Sequence, residues 1–276
     1  MDFHSFRSAF MALLDHHGHT ATTADILSAM EAPYLFLQRE GRYVAGVGFF
    51  TPEQMHLYLH PQGKQLTPHD LERRALSSFL KEHAPVLLRL PENKYLLITT
   101  HHEQRVCLTL PTSAGSGEHW MTLATLRRHL PEHFTAYTLD ACAPAPVDPL
   151  PLLMESARTL SAYAEELLPL LSRTVTRENM RELHVLCFRA LMVELPPLAL
   201  HYHDDMLYEN LLRLNHAYRH LFTIDEDTVL LQERLSKKRI LQCLTWLRES
   251  ILDRLYELGA PDELLEQLYQ CQSKPE

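Results

Sequence analysis

The chain has 276 residues, 46% hydrophobic and 22% charged, with a formal net charge of −9. That length supports one large or two medium domains with real cores, and the composition is that of a globular protein. The negative balance argues against a nucleic-acid surface, which needs clustered Lys and Arg. No apolar run approaches the roughly 20 residues that cross a bilayer, and the N-terminus lacks a basic stretch followed by an apolar one. The expectation is therefore a cytoplasmic protein without membrane insertion. Its five cysteines, at 107, 142, 187, 243 and 271, include no C-x-x-C pair. They read as reduced thiols rather than as a disulfide framework or zinc knuckle.

In chain order, Phe6, Phe10, Leu13 and Leu14 recur at helical spacing, with Gly18 as the stop. Thr23 opens a short helix that ends before Pro33. Tyr34–Gln38 and Tyr43–Phe50 read as a hairpin, and Met55–Leu59 as a further strand. Thr67 with Pro68 reads as the start of a helix running to about His83. Val86–Leu90, Tyr95–Thr100 and Arg105–Leu110 are short aliphatic runs separated by polar joints, the pattern of an antiparallel meander. Thr122 starts another short helix, and Phe134–Leu139 is a last strand returning to the sheet.

Four prolines crowd ACAPAPVDPLP, residues 141–151. Such a run resists helix and sheet interior alike and reads as a semi-rigid linker. Seven of the eight glycines and 13 of the 18 histidines precede it. Beyond it, Leu152–Leu171, Glu178–Glu194, Asp204–Phe222 and Asp227–Leu258 each carry apolar residues three or four apart, with Pro196-Pro197 as a separator. Gly259 stops the fourth helix and Pro261 introduces a last one, Asp262–Gln270. The expected organisation is an α+β domain at 1–140, a linker at 141–151 and an all-α helical bundle at 152–276.

The order of helix, short helix, helix, antiparallel meander, short helix and strand, carried by FRSAFMALLDHHG, TADIL and TLATLRRHLPEHFTAYTL, resembles the bacterial papain-like peptidase family C39. It also resembles the N-terminal domain of the butirosin-type acyltransferases, which share that fold. The resemblance covers roughly residues 3–140 and implies leader-peptide cleavage or acyl transfer by a Cys–His–Asp site. The matching positions lack those residues. The nucleophile position falls at Ser5 or Phe6, the histidine at Lys94 or Tyr95, and the aspartate at Leu110, before Pro111. Met1–His4 holds no glutamine for the oxyanion hole. A cysteine nucleophile needs its thiol at a helix N-terminus beside an imidazole, and no cysteine precedes Cys107.

The resemblance therefore implies a pseudoenzyme that binds a peptide, carrier protein or protein partner in a peptide natural-product or secretion pathway. The alternative is an acyl- or peptide-transferring enzyme with a rewired site, in which Ser5 or Ser8 takes the catalytic role. No cofactor is expected. For metal, the candidates are His216 and His220, four apart on one helical face, and the run His201, Asp205 and Glu209. His16, His17 and His19 around Gly18, and His101-His102 in a turn, read as solvated. The fourth bundle helix is longer than its domain needs, so Ile251–Leu258, with Trp246 nearby, is expected to lie exposed and to form a homodimer.

Overall fold

The computed structural model describes residues 5–39, 42–112, 115–172, 195–222 and 229–270. The chain is mixed α and β, with a six-stranded antiparallel sheet and helices after it. It divides into two compact units, one made of Met1–Ile26 with Phe50–Val147, the other of Leu27–Phe49 with Asp148–Glu276.

In the first unit, α1 (Phe6–His16) starts at Ser5 and stops at Gly18, whose φ of 74° is the left-handed turn that glycine adopts without strain. A second short helix, α2 (Thr23–Ala29), follows, and the boundary between the units falls within it. The next elements of this unit are α3 (His56–Leu59), β3 (Lys64–Glu72), α4 (Leu76–His83), β4 (Val86–Leu90), β5 (Lys94–His102), β6 (Arg105–Thr112), β7 (Gly115–Thr122), α5 (Leu123–His129) and β8 (His133–Ala141). The strand order is β3-β8-β4-β5-β6-β7, every pairing antiparallel.

Strand alternation divides the apolar residues between two faces. Val86, Leu88 and Leu90 of β4, with Leu96 and Ile98 of β5, face one core shared with Leu76, Phe79 and Leu80 of α4 and Leu123 and Leu126 of α5. Tyr95, of opposite parity, meets α1 on the other face. The sheet is thus covered on both sides.

Several expected elements differ, among them the strand expected to reach Phe50, which ends at Ala45. Met55–Leu59 is helical, not a strand, with Met55, Leu57 and Leu59 buried. Thr67-Pro68 lies inside β3, and the helix begins only at Leu76. His101-His102 end β5, so the turn is Glu103-Gln104, with Glu103 at φ 51°. Strand β7 had no counterpart in the sequence reading. The proline-rich segment is tied down at its start: the Cys142 N–H donates to Gly63 O at 2.8 Å and the Ala145 N–H to His60 O at 3.0 Å. Gly63 is required there twice over. Its φ is 69°, and a Cβ would stand 3.1 Å from Pro144 Cγ and 3.2 Å from Cys142 O.

The second unit contains β1 (Phe36–Arg39) and β2 (Arg42–Ala45), paired as a hairpin, then α6 (Leu150–Ser172), α7 (Leu195–His201), α8 (Asp205–Phe222), α9 (Val229–Glu257) and α10 (Asp262–Gln270). Residues 27–49 therefore pack with the helices rather than with the sheet that follows them in sequence. The reason is local chemistry on α6. Ser156, fully buried, accepts the Phe36 N–H at 2.7 Å and donates to Tyr34 O at 2.7 Å. The residue before it, Glu155, is gripped by Arg39 with two bonds of 2.6 and 3.1 Å. Phe36, Tyr43 and Tyr163 form an aromatic trio with centroids 4.8–5.3 Å apart.

Pro196 and Pro197 lie in the first turn of α7, where their missing N–H groups are not needed. The expected helix at Glu178–Glu194 lies outside the described residues. No described helix is long and apolar enough to cross a membrane.

Candidate functional site

The resemblance to papain-like peptidases would put a nucleophile at the start of α1 and a histidine at the start of β5. Ser5 caps the helix: its Oγ accepts the Ser8 N–H at 3.4 Å and lies 3.2 Å from Ser8 Oγ. Both hydroxyls are exposed, and among the described residues neither is bonded to a base. Phe6 is 6% exposed and enters a ring cluster instead. Its centroid is 5.4 Å from Phe10, 6.1 Å from Phe50 and 5.1 Å from Tyr95, the last an edge contact at 62°. Phe10 and Phe50 close the cluster at 5.8 Å.

Tyr95 is 4% exposed. Burial first, and the neighbouring Tyr137 second, push its hydroxyl up to about 12, so it stays protonated and cannot serve as a base near neutrality. Lys94, one residue earlier, points to solvent and pairs with Glu92 at 3.1 Å. Leu110 lies in β6 opposite Gly117, and its side chain is outside the described residues. The structure thus brings Phe6 and Tyr95 together, while Ser5 bonds to Ser8 and Lys94 pairs with Glu92.

A second polar group sits on the core face of β3 and β8, past the end of α4. His69 Nε2 is 2.9 Å from Thr138 Oγ1, and the Thr138 hydroxyl donates to Asp140 Oδ2 at 2.9 Å. The proton of Thr138 is committed to Asp140, so His69 supplies the hydrogen to Thr138 and does not activate it. The His69 ring stacks near Phe79 and His83, at 5.0 and 5.6 Å. This is the polar end of an apolar core. The sequence reading missed it because the three residues come from strands 69 positions apart.

Among the second unit's metal candidates, His201 ends α7 and Asp205 begins α8, with His203 at φ 60° between them. The break takes His201 off the helical face of Asp205 and Glu209. His216 lines a groove between α8 and α9, and the side chain of His220 is outside the described residues. Among the described residues no three His, Cys, Asp or Glu side chains come together as a metal site. Cys107, Cys142 and Cys243 are free thiols.

The densest polar network of this unit ties the hairpin segment to the helices. Arg254 of α9 donates to both oxygens of Glu31, at 2.9 and 2.6 Å, and to Tyr202 Oη at 2.7 Å. Its guanidinium lies over the rings of Tyr34 and Tyr202, and Tyr34 donates to Asp204 at 2.7 Å. Every member is partnered, which marks a structural clamp rather than a catalytic group. Neither a protein-family model, nor a curated protein, nor a solved structure matches the chain.

Proposed function

We propose that the chain is a non-catalytic, peptidase-like protein whose first unit holds a peptide, a carrier protein or a protein partner, in a peptide natural-product or secretion pathway. The observation that carries this reading is the Phe6–Tyr95 ring pair. In a papain-like site a helix start and a facing strand hold a thiol and an imidazole; the resemblance would assign those roles to α1 and β5, and these two elements meet through buried aromatic carbon. The capping role of Ser5 supports the same reading. Among the described residues the Ser5 hydroxyl, which caps its own helix, bonds only to Ser8 and to no general base, and serine is a weak nucleophile without one. A surface that no longer cleaves can still recognise, because recognition needs shape and hydrogen-bonding edges rather than a proton relay.

The test is a pair of measurements on the full chain. Incubated with a peptide thioester and with leader-bearing precursor peptides encoded beside its gene, the protein should show no cleavage and no covalent adduct by intact mass. Calorimetry should show saturable binding of one such precursor. An acyl adduct on Ser5 or Ser8 would establish the rewired enzyme instead, and an absence of binding by every precursor would remove the recognition role.

A further inference from the structure

Helices α8 and α9 lie side by side in the second unit and leave a groove of about 390 Å³ between them. Its lining is Leu212, Arg213 and His216 from α8, and Arg239, Gln242, Cys243 and Trp246 from α9. The volume lies in the range of small-molecule sites, which are apolar clefts with a few convergent polar groups. The apolar part comes from Leu212, 43% exposed, from the Trp246 ring and from the buried Cys243, whose thiol burial holds in the protonated form. The polar part is cationic. Among the described residues no carboxylate lines the groove, although the chain as a whole carries a net charge of −9.

The two guanidiniums are held differently. Arg213 lies over the Trp246 ring at 5.5 Å and donates from Nη2 to Glu209 Oε2 at 3.0 Å, one turn back along α8. Its position is fixed from two sides, and its remaining donors are left for a ligand. Arg239 is exposed and has no carboxylate partner among the described residues. An apolar slot with one anchored and one unpaired guanidinium matches a molecule with an apolar body and a single anionic head. A planar carboxylate is the head that a guanidinium fork binds best.

We propose that the α8–α9 groove is a binding site for a small aryl or alkyl carboxylate, its apolar body against Leu212 and Trp246 and its carboxylate on Arg239 and Arg213. The site is separate from the first unit's surface and does not depend on the role proposed for it.

The chain has two tryptophans, so a Trp120→Phe protein carries Trp246 as its only indole. Its emission, excited at 295 nm, is titrated with 4-phenylbutyrate and with the uncharged 4-phenylbutan-1-ol. A saturable change with the carboxylate is expected at low-millimolar concentration or below. The alcohol should bind about tenfold more weakly, as should the carboxylate to Arg239→Gln, because a charge-assisted hydrogen bond is lost in each case. Arg239 is exposed, so its variant should keep the circular dichroism of the parent. Calorimetry on Trp246→Phe should show weakened binding. Equal affinity for alcohol and carboxylate, an unchanged Arg239→Gln, or no saturable response would each overturn the proposal.

Discussion

Phe6 and Tyr95 stand 89 positions apart and meet edge to face at 5.1 Å, where the start of α1 crosses the start of β5. The contact closes a cluster with Phe10 and Phe50, and aromatic pairs of this geometry add about 0.5–1.5 kcal/mol beyond the area they bury. Truncating Phe6 removes its ring from all three partners and leaves a cavity. Phe6→Ala should therefore destabilise the first unit by about 3–5 kcal/mol. Urea denaturation followed by near-UV circular dichroism reads this directly. A loss below about 1 kcal/mol, the level of an ordinary surface change, would mean that the cluster does not hold α1 to the sheet.

One hydroxyl joins the hairpin backbone of the second unit to α6. Ser156 satisfies one backbone donor and one backbone acceptor at once, in a fully buried position. Ser156→Ala leaves the Phe36 N–H and one lone pair of the Tyr34 carbonyl without a partner, a loss of about 1–3 kcal/mol. Hydrogen exchange should show the Phe36 amide losing protection while the amides of β4 and β5, in the other unit, keep theirs. Equal protection in variant and parent would show that this bond does not secure the hairpin.

Much of the sheet was legible in the sequence. The runs at 86–90, 95–100 and 105–110 became β4, β5 and β6, because buried central strands need continuous aliphatic stretches. Thr122 was readable as a helix start, and Gly18 and Gly259 as stops, because capping is local chemistry. The edges were not legible. β3 and β7 each pair on one side only, so they lack an apolar run; KQLTPHDLE even carries a proline, which an edge strand tolerates. The placement of residues 27–49 was hidden for another reason. Their partners, Glu155, Ser156, Tyr163 and Arg254, lie more than 100 positions downstream, and no local pattern announces a pairing at that range. For the candidate site, the resemblance named Ser5, Phe6, Lys94 and Leu110 as positions without catalytic residues. That the Phe6 ring would pack against Tyr95, Phe10 and Phe50 was not legible, because those partners are distant in sequence or carry no pairing signal.

Five of the eleven tyrosines, Tyr34, Tyr43, Tyr95, Tyr137 and Tyr202, have hydroxyls that burial holds above the usual value near 10. Each binds its proton more tightly in the folded chain than in the unfolded one. Their contribution is therefore complete below about pH 10 and declines as pH rises past it, for Tyr95 through about 12. In a spectrophotometric titration at 295 nm these phenols should ionise late, together with the loss of near-UV circular dichroism. Tyr95→Phe should remove one late phenol from the count. A single transition near pH 10 covering all eleven would contradict the burial argument.

The length of α9 argued for an exposed apolar stripe at its C-terminal end, and the structure corrects that reading. Ile251, Leu252 and Leu255 are 4%, 1% and 0% exposed. Ile251 is covered within its own unit, in a tightly filled space lined by Pro33, Leu160, Leu195 and Leu207. The residues 27–49 that fold back on the helices supply the surface that the helix seemed to lack. The stripe is core, and Ile251→Glu should behave as a core substitution rather than as an interface one. It places a carboxylate among aliphatic side chains with no partner, which is destabilising enough to unfold a marginal domain. Tyr256→Glu, on the same helix at a position 68% exposed, should change stability by less than about 0.5 kcal/mol. Thermal denaturation with parallel light scattering separates the two cases. Loss of helical signal in Ile251→Glu alone supports the covered stripe, whereas a folded, smaller particle would show that Ile251 belongs to a contact between two chains.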